Sequence, residues 1–519
     1  MYLETLDLTV VAIYAISLLL IAQWVSREKH GHKKDTKDYF LAGKALPWWA
    51  IGASLIAANI SAEQIIGMSG SAFVMGIAIA SYEWMSAITL IIVGKYLLPV
   101  FLKHQIYTMP QFLEQRYDHR VRTVLATFWL GVYVFVNLTS ILWLGALAIN
   151  TITGLDITYA MLLLAAFAAA YSLYGGLKAV ALTDIIQVVL LVFGGLMIAY
   201  ISMNEISGGA GVFAGFGMML EQMPEKFDMI LSKDNPHYMS LPGISVLVGG
   251  MWVMNLSYWG FNQYIIQRAL AAKNSREAQK GIVFAAFLKM LMPVLVVLPG
   301  IAAVMLAPDL SAPDQAYPEV MKLLPVGIKG LVFAALIAAI VSSLASMTNS
   351  ISTIFTMDLI AHSGGRSEQQ LVTIGRVTSL SALGIATIVA QPLLGNFDQA
   401  FQYIQEFTGL FTPGIVAIFL LAIFWKQTTA NGALSAAIGS AVFSITCKLY
   451  WPSLPFIDRV GLAFILCILV GIVVSKLEAK GENPKAIDYG SVDTSTSTGF
   501  NWATLVIVLM LTGLYITWW

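Results

Sequence analysis

Apolar residues occur along this chain in long runs that are separated by short polar connections. A run of about 20 apolar residues forms an α-helix long enough to cross the hydrocarbon core of a bilayer, which is about 30 Å thick. We count fourteen such runs, so the pattern predicts an all-α polytopic membrane protein with 14 transmembrane helices. The predicted spans are 5–25, 47–73, 76–102, 121–149, 157–175, 179–202, 242–267, 281–305, 330–361, 367–391, 399–425, 430–448, 460–475 and 500–519.

The composition agrees with a membrane protein. Of the 519 residues, 58% are hydrophobic and 11% are charged, and the mean hydropathy is +0.77. Such a chain is too apolar to be soluble, and its surroundings are membrane lipid. The formal net charge of zero gives no reason to expect a nucleic-acid partner. Because the sequence has no nucleophile motif or cofactor fingerprint, we expect neither an enzyme nor an organic cofactor.

The basic residues indicate the orientation, because short cytoplasmic connections are enriched in Lys and Arg. The connections after odd-numbered spans are rich in both residues, for example around Arg27 and Arg116. The connections after even-numbered spans contain few of them, namely Lys226, Lys233, Lys322, Lys329 and Arg459. This asymmetry places both termini outside the cell.

Two spans carry polar residues in the middle of their apolar sequence, at 57–64 and at 255–263. Backbone at membrane depth leaves helical geometry only where it lines a cavity or an ion site. Both stretches are therefore predicted to be broken helices, which are typical of transporters. The alternative is a close helix contact, in which Asn59 and Ser61 bond to a neighbouring helix.

The two interrupted spans each open a set of five helices. Because five is odd, the second set starts from the opposite side of the membrane, which predicts an inverted repeat. We therefore expect a single transporter domain, residues 1–519, with a five-plus-five core. Its parts are an extra N-terminal helix, the first repeat, the inverted second repeat and three C-terminal helices, over residues 5–25, 47–202, 242–425 and 430–519.

Two longer polar connections are present. The connection over 203–241 is too short for a core of its own and predicts short surface helices that cap the outer side. The connection over 476–499 contains Pro484 and a run of Ser and Thr, which predicts a flexible inner linker. The last span is expected to be peripheral.

Five ionisable residues lie within or near apolar spans, namely Glu63, Glu83, Asp184, Lys289 and Glu406. Each costs at least a few kcal/mol unless it is paired or solvated, so each requires an explanation. Glu83 and Lys289 could form one buried pair that faces a cavity. The alternative is an ion pair with a structural role alone.

A neutral sugar needs hydrogen-bonding side chains around its hydroxyl groups and an aromatic face against its C–H surface. Both are present. The polar candidates are Gln64, Glu83, Ser86, Asn255, Lys289 and Gln405, and the aromatic candidates are Tyr82, Tyr258, Trp259 and Phe401. The alternative for each aromatic residue is core packing or anchoring at the membrane interface.

Adjacent serines lie in a deep span at 341–347. Together with carbonyl groups freed by a helix break, Ser hydroxyls form a set of hard oxygen ligands that suits Na⁺. The alternative is that the hydroxyls bond to their own helix, as most membrane serines do. Proton coupling would need a titratable group, for which Asp184 is the nearest candidate.

Several long stretches of the sequence closely resemble the sodium/solute symporter family. They are 38–71 (DYFLAGKALPWWAIGASLIAANISAEQIIGMSGS), 80–96 (ASYEWMSAITLIIVGKY), 258–268 (YWGFNQYIIQR), 341–347 (VSSLASM) and 401–406 (FQYIQE). The resemblance implies the leucine-transporter-like fold with its five-plus-five inverted repeat, in a bacterial inner membrane. It also implies sodium-coupled uptake of a neutral monosaccharide, galactose or glucose, by alternating access.

The same resemblance implies roles for individual residues. Sugar hydroxyls would bond to Gln64, Glu83, Ser86, Asn255, Lys289 and Gln405. Tyr258 would stack on the sugar ring as the inner gate, with Tyr82 and Trp259 beside it. The outer gate would consist of Met68, Tyr82 and Phe401. Sodium would be held by the carbonyls of Ala57, Ile60 and Ala339 and the hydroxyls of Ser342 and Ser343, with Asp184 on its release path.

The nearest alternative is a symporter of the same family for another solute, such as myo-inositol, sialic acid or an amino acid. A zwitterion would need one group that binds its carboxylate and one that binds its ammonium, and Lys289 and Glu83 could do so. A nutrient sensor or channel would be indicated by an appended signalling domain or a continuous polar pore, and the sequence contains neither.

Overall fold

The computed structural model describes residues 3–25, 46–361, 364–395, 400–479 and 481–519. Its regular structure in these residues is helical, apart from an isolated bridge between Leu46 and Ala272. The basic connection predicted after the first span, around Arg27, lies outside the described residues.

The α-helices of the first half are α1 (Thr5–Val25), α2 (Trp48–Asn59), α3 (Met68–Met75), α4 (Ser81–Ile92), α5 (Leu98–Lys103), α6 (Met109–Arg116), α7 (His119–Val132), α8 (Thr139–Thr153), α9 (Ile157–Ile206) and α10 (Val212–Gln222). Those of the second half are α11 (Ser245–Val248), α12 (Gly250–Leu256), α13 (Gln263–Leu270), α14 (Ser275–Met292), α15 (Leu298–Leu306), α16 (Ala316–Met321), α17 (Ile328–Ile354), α18 (Glu368–Leu394), α19 (Ala400–Thr408), α20 (Thr412–Phe424), α21 (Ala430–Tyr450), α22 (Phe456–Glu478) and α23 (Thr498–Thr517). Short π-helical turns connect several of them, at Glu63–Gly67, Val93–Leu97, Tyr133–Leu138, Ser257–Phe261, Pro293–Val297 and Phe355–Ile360.

Nine helical segments of the described residues are long and apolar enough to cross a membrane, or ten if α19 and α20 count as one bent span. The predicted all-α membrane fold is therefore confirmed, while the number of fourteen spans stays a prediction. One boundary differs. Helix α9 continues over 50 residues, where the sequence predicts separate spans at 157–175 and 179–202. No proline, the strongest helix breaker, occurs between these two runs.

Both predicted helix breaks are present. Helix α2 ends at Asn59, and the chain resumes helical geometry in the turn Glu63–Gly67. Helix α12 ends at Leu256, and after the turn Ser257–Phe261 the backbone of Asn262 is extended. The Asn262 side chain then caps α13 by accepting a hydrogen bond from the N–H of Tyr264.

Helix α2 packs closely against α14, which brings the first break beside the helix that carries Lys289. Small residues make this approach possible: a Cβ atom added to Gly52 would lie 2.7 Å from the carbonyl oxygen of Gly281. A Cβ atom added to Gly281 would lie 2.8 Å from the carbonyl oxygen of Trp48. Both contacts are too short for a real side chain, so the interface depends on glycine at both positions.

Both ends of the chain pack against the connections predicted to be outside. The carboxylate of Asp7 on α1 accepts hydrogen bonds from the N–H groups of Gly327 and Gly330, at the start of α17. The carbonyl of Trp518 accepts one from the N–H of Met229 in the 203–241 connection. That connection contains the surface helix α10, as the sequence predicts.

The connection over 481–497 is packed rather than free, which differs from the flexible linker that its sequence predicts. Asn483 donates to the carbonyl of Thr428, and Lys485 donates to the carbonyl of Tyr117. Lys103 on α5 donates to the carbonyl and hydroxyl oxygens of Ser491. These partners lie in distant parts of the chain, so no local pattern indicates them.

Candidate functional site

A cavity lies between the two broken helices. Nine of the eleven predicted sugar-contact and gate residues line it, namely Gln64, Tyr82, Glu83, Ser86, Asn255, Tyr258, Trp259, Phe401 and Gln405. Other lining residues are Trp129, Tyr133, Asn137, Asn262, Phe411 and Ile415. Most of the predicted sugar contacts are therefore brought to one place.

Glu83 on α4 is the centre of the polar part of the cavity. Gln64 Nε2 donates to Glu83 Oε1 over 2.8 Å, and Lys289 Nζ lies 2.5 Å from Glu83 Oε2. Lys289 also donates to Asn59 Oδ1 and lies 5.0 Å from the centre of the Trp259 ring. Lys289 is fully buried behind Glu83 and does not line the cavity.

A second polar pair lies beside this cluster. The Ser86 hydroxyl donates to Asn255 Oδ1 over 2.6 Å, and Asn255 Nδ2 donates to the carbonyl of Met251. The pair joins α4 to α12, immediately before the second helix break. It therefore links the helix that carries Glu83 to the segment that carries Tyr258.

Two buried polar atoms of the site lack a hydrogen-bond partner in the described part of the chain. They are the amide oxygen of Gln64 and the hydroxyl of Tyr82. Both residues line the cavity. Because buried polar groups are nearly always paired, one unsatisfied acceptor and one hydroxyl at a cavity wall are the groups that a polar ligand would satisfy.

Aromatic side chains close the two ends of the polar cluster. The rings of Tyr82 and Phe401 meet edge to face with their centres 5.4 Å apart, and Met68 is fully buried. At the other end, the ring of Tyr258 lies 5.1 Å from that of Trp259, and Asn59 Nδ2 donates to the Tyr258 hydroxyl over 3.0 Å. Asn59 therefore contacts both Tyr258 and Lys289.

The end of α2 faces α17, which carries the adjacent serines. The N–H of Ser61 donates to Asn59 rather than to Ala57, so the helical partner of the Ala57 carbonyl is lost at the break. The carbonyl of Ala58 accepts from the Ser343 hydroxyl over 3.0 Å. Carbonyl and hydroxyl oxygens from two helices thus meet here. Ala339 and Ile60 are also buried in this region.

Asp184 on α9 contacts the same serine cluster. It accepts hydrogen bonds from the hydroxyls of Ser342 and Ser54, the latter over 2.5 Å. Its positive partner is Arg268, with 3.7 Å between Nη2 and Oδ2. Arg268 in turn donates to Ser346 on α17.

The sequence did not single out three further side chains as functional. Tyr264 donates its hydroxyl to the Ala58 carbonyl, Arg268 pairs with Asp184, and Ser140 donates to Glu63. Arg268 lies in an amphipathic helix that ends beside basic residues, which favours interpretation as a cytoplasmic charge. Arg268 is in fact almost completely buried, and the sequence could not reveal this because burial depends on the tertiary packing.

A family model matches residues 39–439, and its description is the sodium:solute symporter family. The match covers more than half of the chain. The protein belongs to the sodium:solute symporter family. The resemblance recognised in the sequence is confirmed, and the membership makes this chain a transporter.

Curated relatives of this symporter match along most of its length. A sodium/glucose cotransporter of Vibrio parahaemolyticus is 53% identical over 538 aligned residues, which cover 100% of this chain and 99% of the relative. A sodium/myo-inositol cotransporter 2 of Mus musculus is 34% identical, over 84% of this chain and 68% of the relative.

Solved structures show the same fold. A Na⁺-coupled sialic acid symporter in a substrate-bound outward-open state aligns with a TM-score of 0.79 and 22% identity, over 92% of this symporter and 98% of that chain. A nucleobase-cation-symport-1 family transporter in a closed conformation aligns with a TM-score of 0.53 and 16% identity. At these identities the likeness concerns the fold alone.

Proposed function

We propose that the protein takes up a neutral monosaccharide, galactose or glucose, together with sodium. The observation that carries this proposal is the pair of unsatisfied polar atoms, on Gln64 and Tyr82, in a cavity that also contains Glu83, Ser86 and Asn255. A ring of hydroxyl groups supplies the donors and acceptors that these groups lack. The name of the Vibrio relative, a sodium/glucose cotransporter, supports the same substrates.

The charge of the site favours a neutral solute. Lys289 and Glu83 form an ion pair, so the cavity presents no uncompensated charge from either residue. We assign the sugar hydroxyls to Gln64, Glu83, Ser86, Asn255, Lys289 and Gln405. Lys289 does not line the cavity, so its ammonium group must move toward the cavity before its third N–H can bond to a sugar. Tyr82, Tyr258 and Trp259 supply the aromatic surface for the C–H face of the ring.

Sodium is the second substrate. We assign it to the carbonyls of Ala57, Ile60 and Ala339 and the hydroxyls of Ser342 and Ser343. Oxygen ligands from α2 and α17 would join the broken helix to the helix that carries the serines. In the present arrangement Ser343 bonds to Ala58 and Ser342 bonds to Asp184. Both hydroxyls must therefore turn to meet the ion, and Asp184 lies where it can receive the ion on release.

The arrangement of the gates supports alternating access. Tyr82 and Phe401, whose rings are in contact, line the cavity together with Ile415 on α20, and we assign the two rings to its outer end and Ile415 to its inner end. The C-terminal end of α20 bonds to Arg116 of a basic connection, which we place inside. We infer that the outer gate is closed here. Each Na⁺ that enters down a membrane potential supplies roughly 2.3 kcal/mol per 100 mV.

We place the protein in a bacterial inner membrane, with fourteen spans, a five-plus-five inverted repeat and both termini outside. The two broken helices that open the proposed repeats support the repeat. The common location of Asp7 and Trp518 beside the proposed outer connections supports the placement of the termini.

A second candidate substrate is myo-inositol, because a cyclic polyol presents a similar ring of hydroxyl groups to the same side chains. Relatives named as sodium/myo-inositol cotransporters, at 34% identity, favour it. Sialic acid and amino acids are less suited, since their carboxylate would need a cation and Lys289 is paired with Glu83.

The test is calorimetric titration of the purified protein with galactose, glucose and myo-inositol, in Na⁺ and in matched K⁺. We expect binding of galactose or glucose in Na⁺ that is much weaker in K⁺. The variant Gln64→Ala should bind the same sugar about 5- to 150-fold more weakly, because it removes one buried polar partner worth about 1 to 3 kcal/mol. Binding of myo-inositol alone would select the second candidate.

A further inference from the structure

Glu406 is an ionisable residue within the predicted spans that the proposed sugar and sodium sites do not use. It lies on α19, a helix of nine residues that also carries Phe401 of the proposed outer gate and the cavity residue Gln405. Such a short helix has little stability of its own, so contacts with the rest of the protein decide its position.

The C-terminal end of α19, which we call its base, leads into a turn before α20, and contacts with α21 hold this turn in place. Helices α19 and α20 meet at an angle of 45°. The hydroxyl of Ser440 on α21 donates to the carbonyl of Leu410 and accepts from the N–H of Gly414, each over 2.9 Å. The turn and the start of α20 are thereby attached to α21, independently of α19.

Helix α19 itself is held by two cationic side chains. Glu406 Oε1 lies 2.8 Å from Arg459 Nη2 on α22 and 2.9 Å from Lys448 Nζ on α21. The Arg459 side chain is only 7% exposed, whereas that of Lys448 is 55% exposed. A buried guanidinium needs an anionic partner, so the Arg459 contact strongly favours the present position of α19.

The far end of α19 has a contact of its own. The N–H of Ala400 donates to Asp314 Oδ2 over 3.2 Å. Asp314 packs against Gly70 on α3, where an added Cβ atom would lie 2.4 Å from Oδ1. In this position the Phe401 ring reaches Tyr82 on α4. Release of Glu406 would leave α19 attached at its base and, near its tip, through the contacts of Ala400 and Phe401.

We propose that Glu406 is a positioning residue that latches the outer half-helix α19 in its closed position, through Arg459 and Lys448 of the C-terminal helices. The latch holds Phe401 against Tyr82 and Gln405 at the cavity. This inference gives α21 and α22, which lie outside the five-plus-five core, a role in gating. It rests on the proposed alternating access, but its test needs neither sugar nor sodium.

The experiment measures how fast a thiol in the cavity reacts from the side of the termini. Thr408→Cys is the reporter, because Thr408 lines the cavity and the partners of its hydroxyl among the described residues are carbonyls of its own helix. Cys447 and Cys467 are replaced by Ala. A membrane-impermeant maleimide is applied to right-side-out and to inverted vesicles, without sugar and with K⁺ in place of Na⁺.

Glu406→Gln should raise the rate of labelling from the termini side about two- to fivefold, as expected for a partly exposed ion pair, and leave the opposite side without a rise. Lys448→Gln, at a mostly exposed residue that should not impair folding, should give a smaller rise in the same direction. The control Glu319→Gln removes an ion pair with Lys322 that includes no residue of α19, and should change nothing.

Unchanged labelling in both Glu406→Gln and Lys448→Gln would overturn the proposal, as would an equal rise in Glu319→Gln. Because labelling is measured without substrates, failure to transport a given sugar would leave this result intact. Conversely, if the protein takes up sugar with sodium but Glu406→Gln leaves the labelling rate unchanged, the latch is refuted and the transport function is not.

Discussion

Lys289 Nζ lies 2.5 Å from Glu83 Oε2, and both side chains are buried almost completely. The two charges come from helices of different predicted repeats, α14 and α4, and each compensates the other. Their pairing fixes the carboxylate that Gln64 also contacts. The ion pair thus positions the polar side chains of the cavity, and a bound sugar would lie next to it.

Removal of one charge of this pair should destabilise the protein. Lys289→Ala leaves Glu83 buried without its cation, and we expect a loss of about 3 to 5 kcal/mol. The double variant Glu83→Gln with Lys289→Met removes both charges and should cost less. Thermal unfolding in detergent measures the comparison. Equal losses in the single and double variants would show that the charge itself is not the cause.

Ser343→Ala should raise the Na⁺ concentration needed for half-maximal uptake. The substitution removes the hydroxyl that faces the Ala58 carbonyl, and with it one proposed oxygen ligand of the ion. Ser350→Ala is the matched control, since Ser350 is a buried serine of the same helix that bonds to Gln267 instead. The assignment is wrong if the two variants show the same sodium activation curve as the parent.

Asp7→Ala should lower stability without a change in sodium activation. Asp7 accepts hydrogen bonds from the N–H groups of Gly327 and Gly330, over 2.7 and 2.8 Å, and so caps α17. Loss of such a cap typically costs about 0.5 to 2 kcal/mol. Thr9→Ala, which removes a hydroxyl bonded within α1, should be close to neutral. A lower unfolding temperature for Thr9→Ala than for Asp7→Ala would contradict the capping role.

Gly52→Ala should separate α2 from α14. Its Cβ atom would lie 2.6 Å from the Phe284 ring and 2.7 Å from the Gly281 carbonyl, so the helices must move or strain. Overpacking of this kind costs about 1 to 3 kcal/mol. Gly384→Ala is the control, because nothing lies within 4 Å of its added Cβ atom. Comparable unfolding temperatures in the two variants would exclude a tight crossing at Gly52.

Much of this site could be predicted from the sequence, because polar residues are rare in apolar spans. The interruptions at 57–64 and 255–263 and the charges of Glu83 and Lys289 stand out for that reason. The partners of Asp184 could not be predicted in the same way. Arg268 on α13 reaches Asp184 on α9 and Ser346 on α17, and these contacts depend on tertiary packing rather than on local pattern.

In the fold, too, features that local residues determine could be predicted, and features that tertiary packing determines could not. The helix breaks follow from local residues, and the structure contains both. The limits of α9 do not, since the interruption between the predicted spans 157–175 and 179–202 contains no proline and the helix continues through it. The packing of 481–497 depends on distant carbonyl groups such as those of Thr428 and Tyr117. Glu406 was recognised as an unusual charge, but its pairing with Arg459 required the structure.

The most direct test of the central claim is uptake of radiolabelled galactose and glucose into proteoliposomes under an inward Na⁺ gradient. A matched K⁺ gradient and a pH gradient are the controls, and Lys289→Ala protein that remains folded is the matched variant. We expect accumulation of at least one sugar under the Na⁺ gradient alone, and its loss in the variant. Accumulation that is equal under K⁺, or absent for both sugars with folded and inserted protein, would contradict sodium-coupled sugar transport.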